Sequence, residues 1–274
     1  MIAERGLEIG RSIEAVTLDF GNTLVPFPDG AMAGLVDETA ERAAEAWGLP
    51  RGDFARIWTE ERRRQFAQDV PDGREADMDI RALRVLARLR GCPAPAADST
   101  WQPGEAERWS DPQEIAAILD WYAAAFVRRT PVPPEIEPLL GSLGRHYRLA
   151  ILSNWPNALC LERFVEAAGW MPHLGAVVVS HRVGAVKPRP AIFEAAARAL
   201  GVPSGPRLLH VGDDPGADVA GAHASGWLAV WVRSRPESSP LPMAPSSGLE
   251  SADLTVDHVV DLPRALGIAG PGVL

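Results

Sequence analysis

Cysteine is almost missing from this chain. Only Cys92 and Cys160 occur in 274 residues, far apart and in unlike surroundings. That excludes a disulfide framework and a cysteine-based metal site, and it points to a reducing compartment. Positive charge is also short: 27 lysines and arginines face 36 aspartates and glutamates, a formal net charge of −9. A nucleic-acid binder would want a basic face, so that class is disfavoured. No long apolar run occurs, and the start, M-I-A-E-R-G-L-E-I-G, holds no apolar signal core. The expectation is a soluble, cytoplasmic protein with neither a nucleic-acid nor a membrane partner. Internal repeats are absent as well. What remains, 46% hydrophobic and 23% charged, is an ordinary globular composition. The length suits one large domain or a domain with a sizeable insertion, with ample apolar surface for a core.

The stretch Ala15 to Val25, A-V-T-L-D-F-G-N-T-L-V, organises the rest. Val16, Thr17 and Leu18 read as a buried parallel strand. Asp19 follows directly, so its carboxylate belongs at the strand's carboxyl end, where open α/β sheets bind ligands. Gly21 and Asn22 allow a sharp turn, and Thr23 adds a hydroxyl to it. Taken alone, a strand that merely ends in a polar turn fits equally well. Residues 1–12 read as a loose tail. From Ala31 to about Arg129 the pattern is helical, with no convincing strand. Asp53 is an N-cap candidate there, and a helix is expected from Asp77 to Arg90, acids first and arginines last. Asp111-Pro112-Gln113-Glu114 is a strong helix start. After Pro131-Val132-Pro133-Pro134 the chain alternates helix and strand. The expected strands run from Tyr147 to Leu152, Ala176 to Ser180, Arg207 to Val211, Trp227 to Val232 and Asp253 to Val256. Such alternation predicts a mostly parallel sheet covered on both faces. Ser234 to Ser251, rich in serine and proline, reads as a mobile loop.

Four strand ends carry reactive side chains: Asp19 with Thr23; Ser153-Asn154; Lys187; and Asp213-Asp214 with Asp218. In a parallel sheet these ends converge on one rim. A nucleophile, hydroxyl and amide donors, a cation and an acidic cluster are what phosphoryl transfer requires. Asp19 is placed to attack phosphorus. Asp19 and Asp213 suit a shared Mg²⁺, a hard ion that takes one or two carboxylates and keeps waters. Lys187, Ser153, Asn154, Thr23 and the backbone N–H groups of the Gly21 turn suit the oxygens of a phosphate. His181 and His210, beside strand ends, read as satisfied structural residues. Trp155 either faces the site or packs beneath the helical block.

In this order the four motifs resemble the haloacid dehalogenase superfamily of hydrolases. Leu18-Asp19-Phe20-Gly21-Asn22-Thr23-Leu24 is similar to its first motif and Leu152-Ser153-Asn154 to its second. Lys187-Pro188 with Ile192-Phe193 is similar to the third, and Val211-Gly212-Asp213-Asp214-Pro215-Gly216-Ala217-Asp218 to the fourth. The resemblance implies an α/β fold, a Rossmann-like doubly wound core of residues 1–27 and 131–274 with an inserted α-helical cap over 28–130. It implies Asp19 as nucleophile and metal ligand, with the Gly21 carbonyl and the Asp213 carboxylate completing the protein's Mg²⁺ ligands. Ser153 and Lys187 would bind the transferring group, and Asp218 would orient Lys187 or the metal's waters. Asp214 is either a second acidic partner or a cap for the helix at Ala217; we favour the first.

One position departs from the family pattern. Most phosphatases of the superfamily carry a second aspartate two residues after the nucleophile, as general acid and base. Here that position is Gly21. General acid–base catalysis contributes about 10²–10⁴-fold, so turnover should be slow unless the leaving group is good. The expected activity is Mg²⁺-dependent hydrolysis of a small phosphorylated metabolite through an aspartyl phosphate. The alternatives are a 2-haloacid dehalogenase-type hydrolase, or a catalytically weakened binding protein of the same fold. Neither the substrate nor the oligomeric state is legible.

Overall fold

The computed structural model describes residues 2–68, 74–96, 99–246 and 251–268. The chain divides into two compact units: Met1–Ala31, Pro131–Asn154 and Val165–Leu274 form one, Met32–Thr130 and Trp155–Phe164 the other.

In chain order the helices are α1 (Ile2–Ser12), α2 (Leu35–Trp47), α3 (Arg51–Gln68), α4 (Met78–Leu89), α5 (Pro112–Arg129) and α6 (Ile136–Gly144). There follow α7 (Ala158–Ala167), α8 (Ser180–Val183), α9 (Pro190–Leu200), α10 (Ala220–Ala224) and α11 (Leu262–Ala265). The strands are β1 (Ala15–Leu18), β2 (Arg148–Ser153), β3 (Ala176–Val179), β4 (Leu208–Gly212), β5 (Leu228–Val232) and β6 (Leu254–Val256). They form one six-stranded sheet in the order β3-β2-β1-β4-β5-β6, parallel at every pairing. The fold is the expected α/β one with a Rossmann-like doubly wound sheet.

β1 lies at the centre because all four of its residues are apolar or β-branched and fully buried. A polar pair inside the sheet is matched in register: Thr17 of β1 sits opposite His210 of β4, and Thr17 Oγ1 lies 2.8 Å from His210 Nδ1. On one face α9 brings Phe193 edge-on to both His210 and Trp227, with ring centroids 5.4 and 5.3 Å apart.

The other unit is helical. At the start of α5 the Asp111 carboxylate accepts from Gln113 N at 2.7 Å, and Glu114 reaches back to Asp111 N at 3.0 Å, which closes the capping box. Trp58 stacks between Phe54 and Tyr122, centroids 5.7 and 5.8 Å away. Fully buried Glu61 accepts from Arg88 at 3.0 Å and from the Trp101 indole at 3.0 Å.

Residues 2–12, expected as part of a tail, are not one. They form α1, whose Ile9 is buried and whose Gly10 carbonyl accepts the Tyr147 hydroxyl at 2.9 Å. Besides its apolar face, the helix docks through a pair of glycines. A Cβ at Gly6 would fall 2.0 Å from the Ala265 carbonyl oxygen, and one at Gly10 would fall 2.2 Å from that of Leu266. Two bare backbones thus approach closely. In an undocked helix Gly→Ala stabilises by about 0.8–1.0 kcal/mol. Here the overlap reverses the sign, so Gly10→Ala should lower stability by about 1–3 kcal/mol, measured by urea unfolding.

Candidate active site

Leu18 pairs with Ile151 of β2 and Val211 of β4. The residues just beyond are therefore level on the rim, and the Asp19 N–H still donates to Val211 O at 2.8 Å. The rim lies where the sheet order reverses, between β1 and β4, which is where such sheets open a crevice.

The turn after Asp19 takes its left-handed residue at Asn22 (φ 60), not at Gly21, whose φ is not positive. Asparagine tolerates this because its side chain bonds locally; here Asn22 Oδ1 accepts from Phe27 N at 3.1 Å. Asn22 N and Val25 O, with Val25 N and Phe20 O, close the turn. Gly21 is buried, and its carbonyl accepts no hydrogen bond among the described residues.

Lys187 is the hub. It is 3% exposed, and its ammonium donates to Asp19 Oδ1 at 2.7 Å, Asp218 Oδ1 at 2.7 Å and Leu152 O at 2.9 Å. An ammonium has three N–H groups, so all are engaged. Ser153 Oγ also donates to Asp19 Oδ1, at 3.0 Å. Asp19 Oδ2 has no hydrogen-bond partner among the described residues. Asn154, expected as a phosphate ligand, clasps the Lys187 main chain instead: Oδ1 accepts from its N–H at 2.7 Å and Nδ2 donates to its carbonyl at 3.0 Å. As placed, Asn154 positions the lysine. Thr23 Oγ1 donates to Asp213 Oδ1 at 3.3 Å.

Asp218 approaches from the wide π-helical turn Pro215–Val219. Its carboxylate tucks against Gly212, where a Cβ would stand 2.1 Å from Oδ2; only glycine leaves that room. Asp218 Oδ1 lies 3.0 Å from His210 Nε2, and Oδ2 accepts from Asp214 N at 2.9 Å. Asp214 corrects the expectation of a second acidic partner. Its Oδ1 accepts from Gly216 N and Ala217 N at 2.9 and 3.0 Å, so it caps that turn, and Asp19, Asp213 and Asp218 form the cluster without it.

Electrostatics follow from burial. Burial raises the carboxyl of Asp19 above its usual range, against the pull of Lys187. Burial, then the charges of Asp19 and Asp218, push Asp213 up to about 7, with Arg235 opposing. For Asp218 burial acts upward too, but Lys187 and His210 outweigh it and hold the carboxyl well below the usual range. Burial acts to lower Lys187, but Asp19 and Asp218 outweigh it and keep the ammonium charged. Burial, then Lys187, lowers His210. The imidazole is therefore neutral, donating from Nε2 to Asp218 and accepting from Thr17 at Nδ1.

His210, read from sequence as a satisfied structural residue, is one: Thr17 and Asp218 engage both of its ring nitrogens. Arg235 escaped the sequence reading, with no signal to mark it. It lies in the serine–proline loop and pairs with Asp213 Oδ2 at 2.7 Å.

The donor set suits a hard divalent cation. Asp19, Asp213 and Asp218 each place a carboxylate oxygen within 4.8 Å of the others, and among the described residues the buried Gly21 carbonyl has no hydrogen-bond partner. A sequence profile of the haloacid dehalogenase-like hydrolases matches residues 13–226. The chain belongs to that family. Among its relatives is the phosphoserine phosphatase of Thermus thermophilus, 40% identical over 119 residues, covering 41% of this chain and 47% of that protein. The chain thus spans about half the length of that relative. A ribulose-1,5-bisphosphate 5-phosphatase of Halopiger xanaduensis is 28% identical over 254 residues, covering 90% and 97% of the two chains. The solved 2-haloacid dehalogenase of Pseudomonas syringae superposes with a TM-score of 0.60 at 23% identity, covering 93% of this chain and 98% of that one. That likeness establishes the fold alone. Among the described residues, no helix is long and apolar enough to cross a membrane.

The raised Asp213 predicts a pH effect on the family member's metal-free form. Its folded value, about 7, lies above the ordinary 3.8, so the folded state holds the proton more tightly. This contribution is full below about pH 4 and is lost as pH rises through about 7. In chelator, Asp213→Asn should melt higher than wild type at pH 8, with the gap closing at pH 5, read by calorimetry.

Proposed function

We propose that this chain hydrolyses small-molecule phosphomonoesters in a Mg²⁺-dependent reaction through an aspartyl phosphate on Asp19. The observation that carries the reading is the state of the Asp19 carboxylate. One oxygen is fixed by Lys187 and Ser153, and the other is unengaged beside further buried carboxylates. The phosphatases named among the relatives support the same class.

In this reading Asp19 Oδ2 attacks phosphorus, and the phosphorus–oxygen bond to the leaving group breaks with its electron pair going to that oxygen. Water then attacks phosphorus, the bond to Asp19 breaks, and inorganic phosphate departs. Lys187, charged and held between Asp19 and Asp218, fixes the nucleophile's orientation and offsets charge growing on the phosphoryl group. Ser153 holds the same oxygen of Asp19 and, with Thr23, offers hydroxyls to the phosphoryl oxygens. Asn154 and Asp218 act through Lys187. Asp19, Asp213 and the Gly21 carbonyl would hold the Mg²⁺, which supplies Lewis-acid stabilisation of the phosphoryl oxygens. Gly21 has no proton to give, so the leaving oxygen takes its proton from solvent. We assign the chemistry to residues 1–27 and 131–274 and the choice of substrate to the helical insertion 28–130. A small phosphorylated metabolite in the cytoplasm is the expected substrate.

A carbon–halogen hydrolase needs no metal. The buried carboxylate cluster is more acid than such a reaction uses, which favours the phosphatase reading.

Two measurements test it. Phosphate release from a phosphometabolite panel should need Mg²⁺, stop with chelator and fall to background in Asp19→Asn. Unchanged release by Asp19→Asn would sink the mechanism. The wild type should cleave aryl phosphates far better than alkyl ones, with a burst before slow turnover. Since Gly21 does not use positive φ, Gly21→Asp can be accommodated by the backbone. It should raise alkyl phosphate turnover by up to about 10²–10⁴-fold, followed by steady-state kinetics on both ester types.

A further inference from the structure

The segment after β5 has the composition of a free loop, yet its described part is pinned to the acidic centre. Arg235 Nη1 donates to Asp213 Oδ2 at 2.7 Å. The Ser239 hydroxyl lies 3.0 Å from Asn22 Nδ2 and 3.2 Å from its Oδ1. The Ala244 N–H donates to Asp214 Oδ2 at 2.7 Å. Arg235 also donates from Nη2 to the Leu241 carbonyl, which ties its guanidinium to the fold of the segment. Nor is the ion pair a surface one: the Arg235 side chain is 16% exposed and that of Asp213 only 3%.

Such a pair is strongly felt, because water screens it little. Its acid is also the one that the metal-dependent reading assigns to Mg²⁺. A divalent ion at Asp213 either displaces the guanidinium from the carboxylate or sits beside it and repels it. Both outcomes weaken the pair that anchors the segment. By linkage, the pair weakens ion binding by the same factor.

We propose that Arg235 is an internal counter-cation of Asp213 that competes with the divalent ion, so that filling the metal site frees Arg235 and loosens the strap from Arg235 to Ala244. In the ion-free protein Arg235 offsets part of the carboxylate charge that burial would otherwise leave uncompensated. When the ion enters, the strap's anchor is lost while Ser239 and Ala244 keep their weaker, neutral-donor bonds. The strap thereby reports the occupancy of the site, and Arg235 sets the affinity. This inference rests on the metal-dependent reading above.

Mn²⁺ is the probe, titrated into the full chain and followed by electron paramagnetic resonance of the free ion. Arg235→Gln should bind it tighter than wild type by about 5- to 150-fold, the usual range of coupling between sites, while Asp213→Asn should lose binding. Hydrogen exchange in unsubstituted protein gives an independent readout: saturating Mn²⁺ should speed exchange across 235–244. Equal or weaker binding by Arg235→Gln, with binding still lost in Asp213→Asn, overturns the competition and leaves the metal reading standing. Mn²⁺ binding untouched by Asp213→Asn removes the metal reading and this inference with it. Unchanged exchange across 235–244 with Mn²⁺ bound overturns the loosening of the strap.

Discussion

The structure depends on one buried ammonium. Lys187 stands between Asp19 and Asp218 with every N–H engaged, setting one positive charge against two carboxyl groups held out of water. Much of the local sequence serves that placement. Asn154 holds the lysine's main chain from the end of β2. Gly212 leaves the space in which Asp218 sits. His210, neutral and fixed by Thr17, supplies the remaining donor to Asp218. Removing the lysine would leave two buried acids uncompensated, a change that is costly wherever an ion pair is buried.

The sheet makes this economical in residues. Because β1 lies between β2 and β4, three neighbouring strand ends deliver Asp19, Ser153 and Asp213 to one line. The fourth contributor, Lys187, arrives from the turn before α9, and the fifth, Asp218, from the turn after β4. Short-range chain geometry thus sets each group, and only the parallel pairing has to bring them together. That division explains why the charged centre is assembled from residues of the α/β unit.

The same division decided what was legible from sequence. Asp19, Ser153, Lys187, Asp213 and Asp218 could be found because each follows an apolar strand or a strand–turn signal, and polarity there is conspicuous. The six strands were readable for the same reason. Asp214 was misjudged because a carboxylate before Pro-Gly-Ala reads alike as cap or cluster member, and only the 2.9 and 3.0 Å bonds to Gly216 and Ala217 distinguish them. The α1 helix was missed because its charged residues and two glycines read as a polar tail, although Gly6, Ile9 and Ile13 recur on one face at helical spacing. Arg235 was invisible because its partner lies 22 residues away across a strand, and serine and proline around it carry the signature of a free loop. The helical unit yields its helices and the Asp111 capping box to sequence reading, but Asp53, expected as a cap, lies within the first turn of α3.

The edges of the sheet have a consequence for how this chain behaves among its neighbours. A parallel sheet that never closes leaves two outer strands with unpaired main-chain groups, an open invitation to the strand of another molecule. Here the outer strands are β3 and β6, of four and three residues. The three-residue strand carries Thr255 outward between two buried residues and is followed at once by Asp257, which pairs with Arg233. So brief a border, ending in charge, gives an incoming strand too little register to hold. The shortness of the last strand thereby discourages sheet growth across the β6 edge.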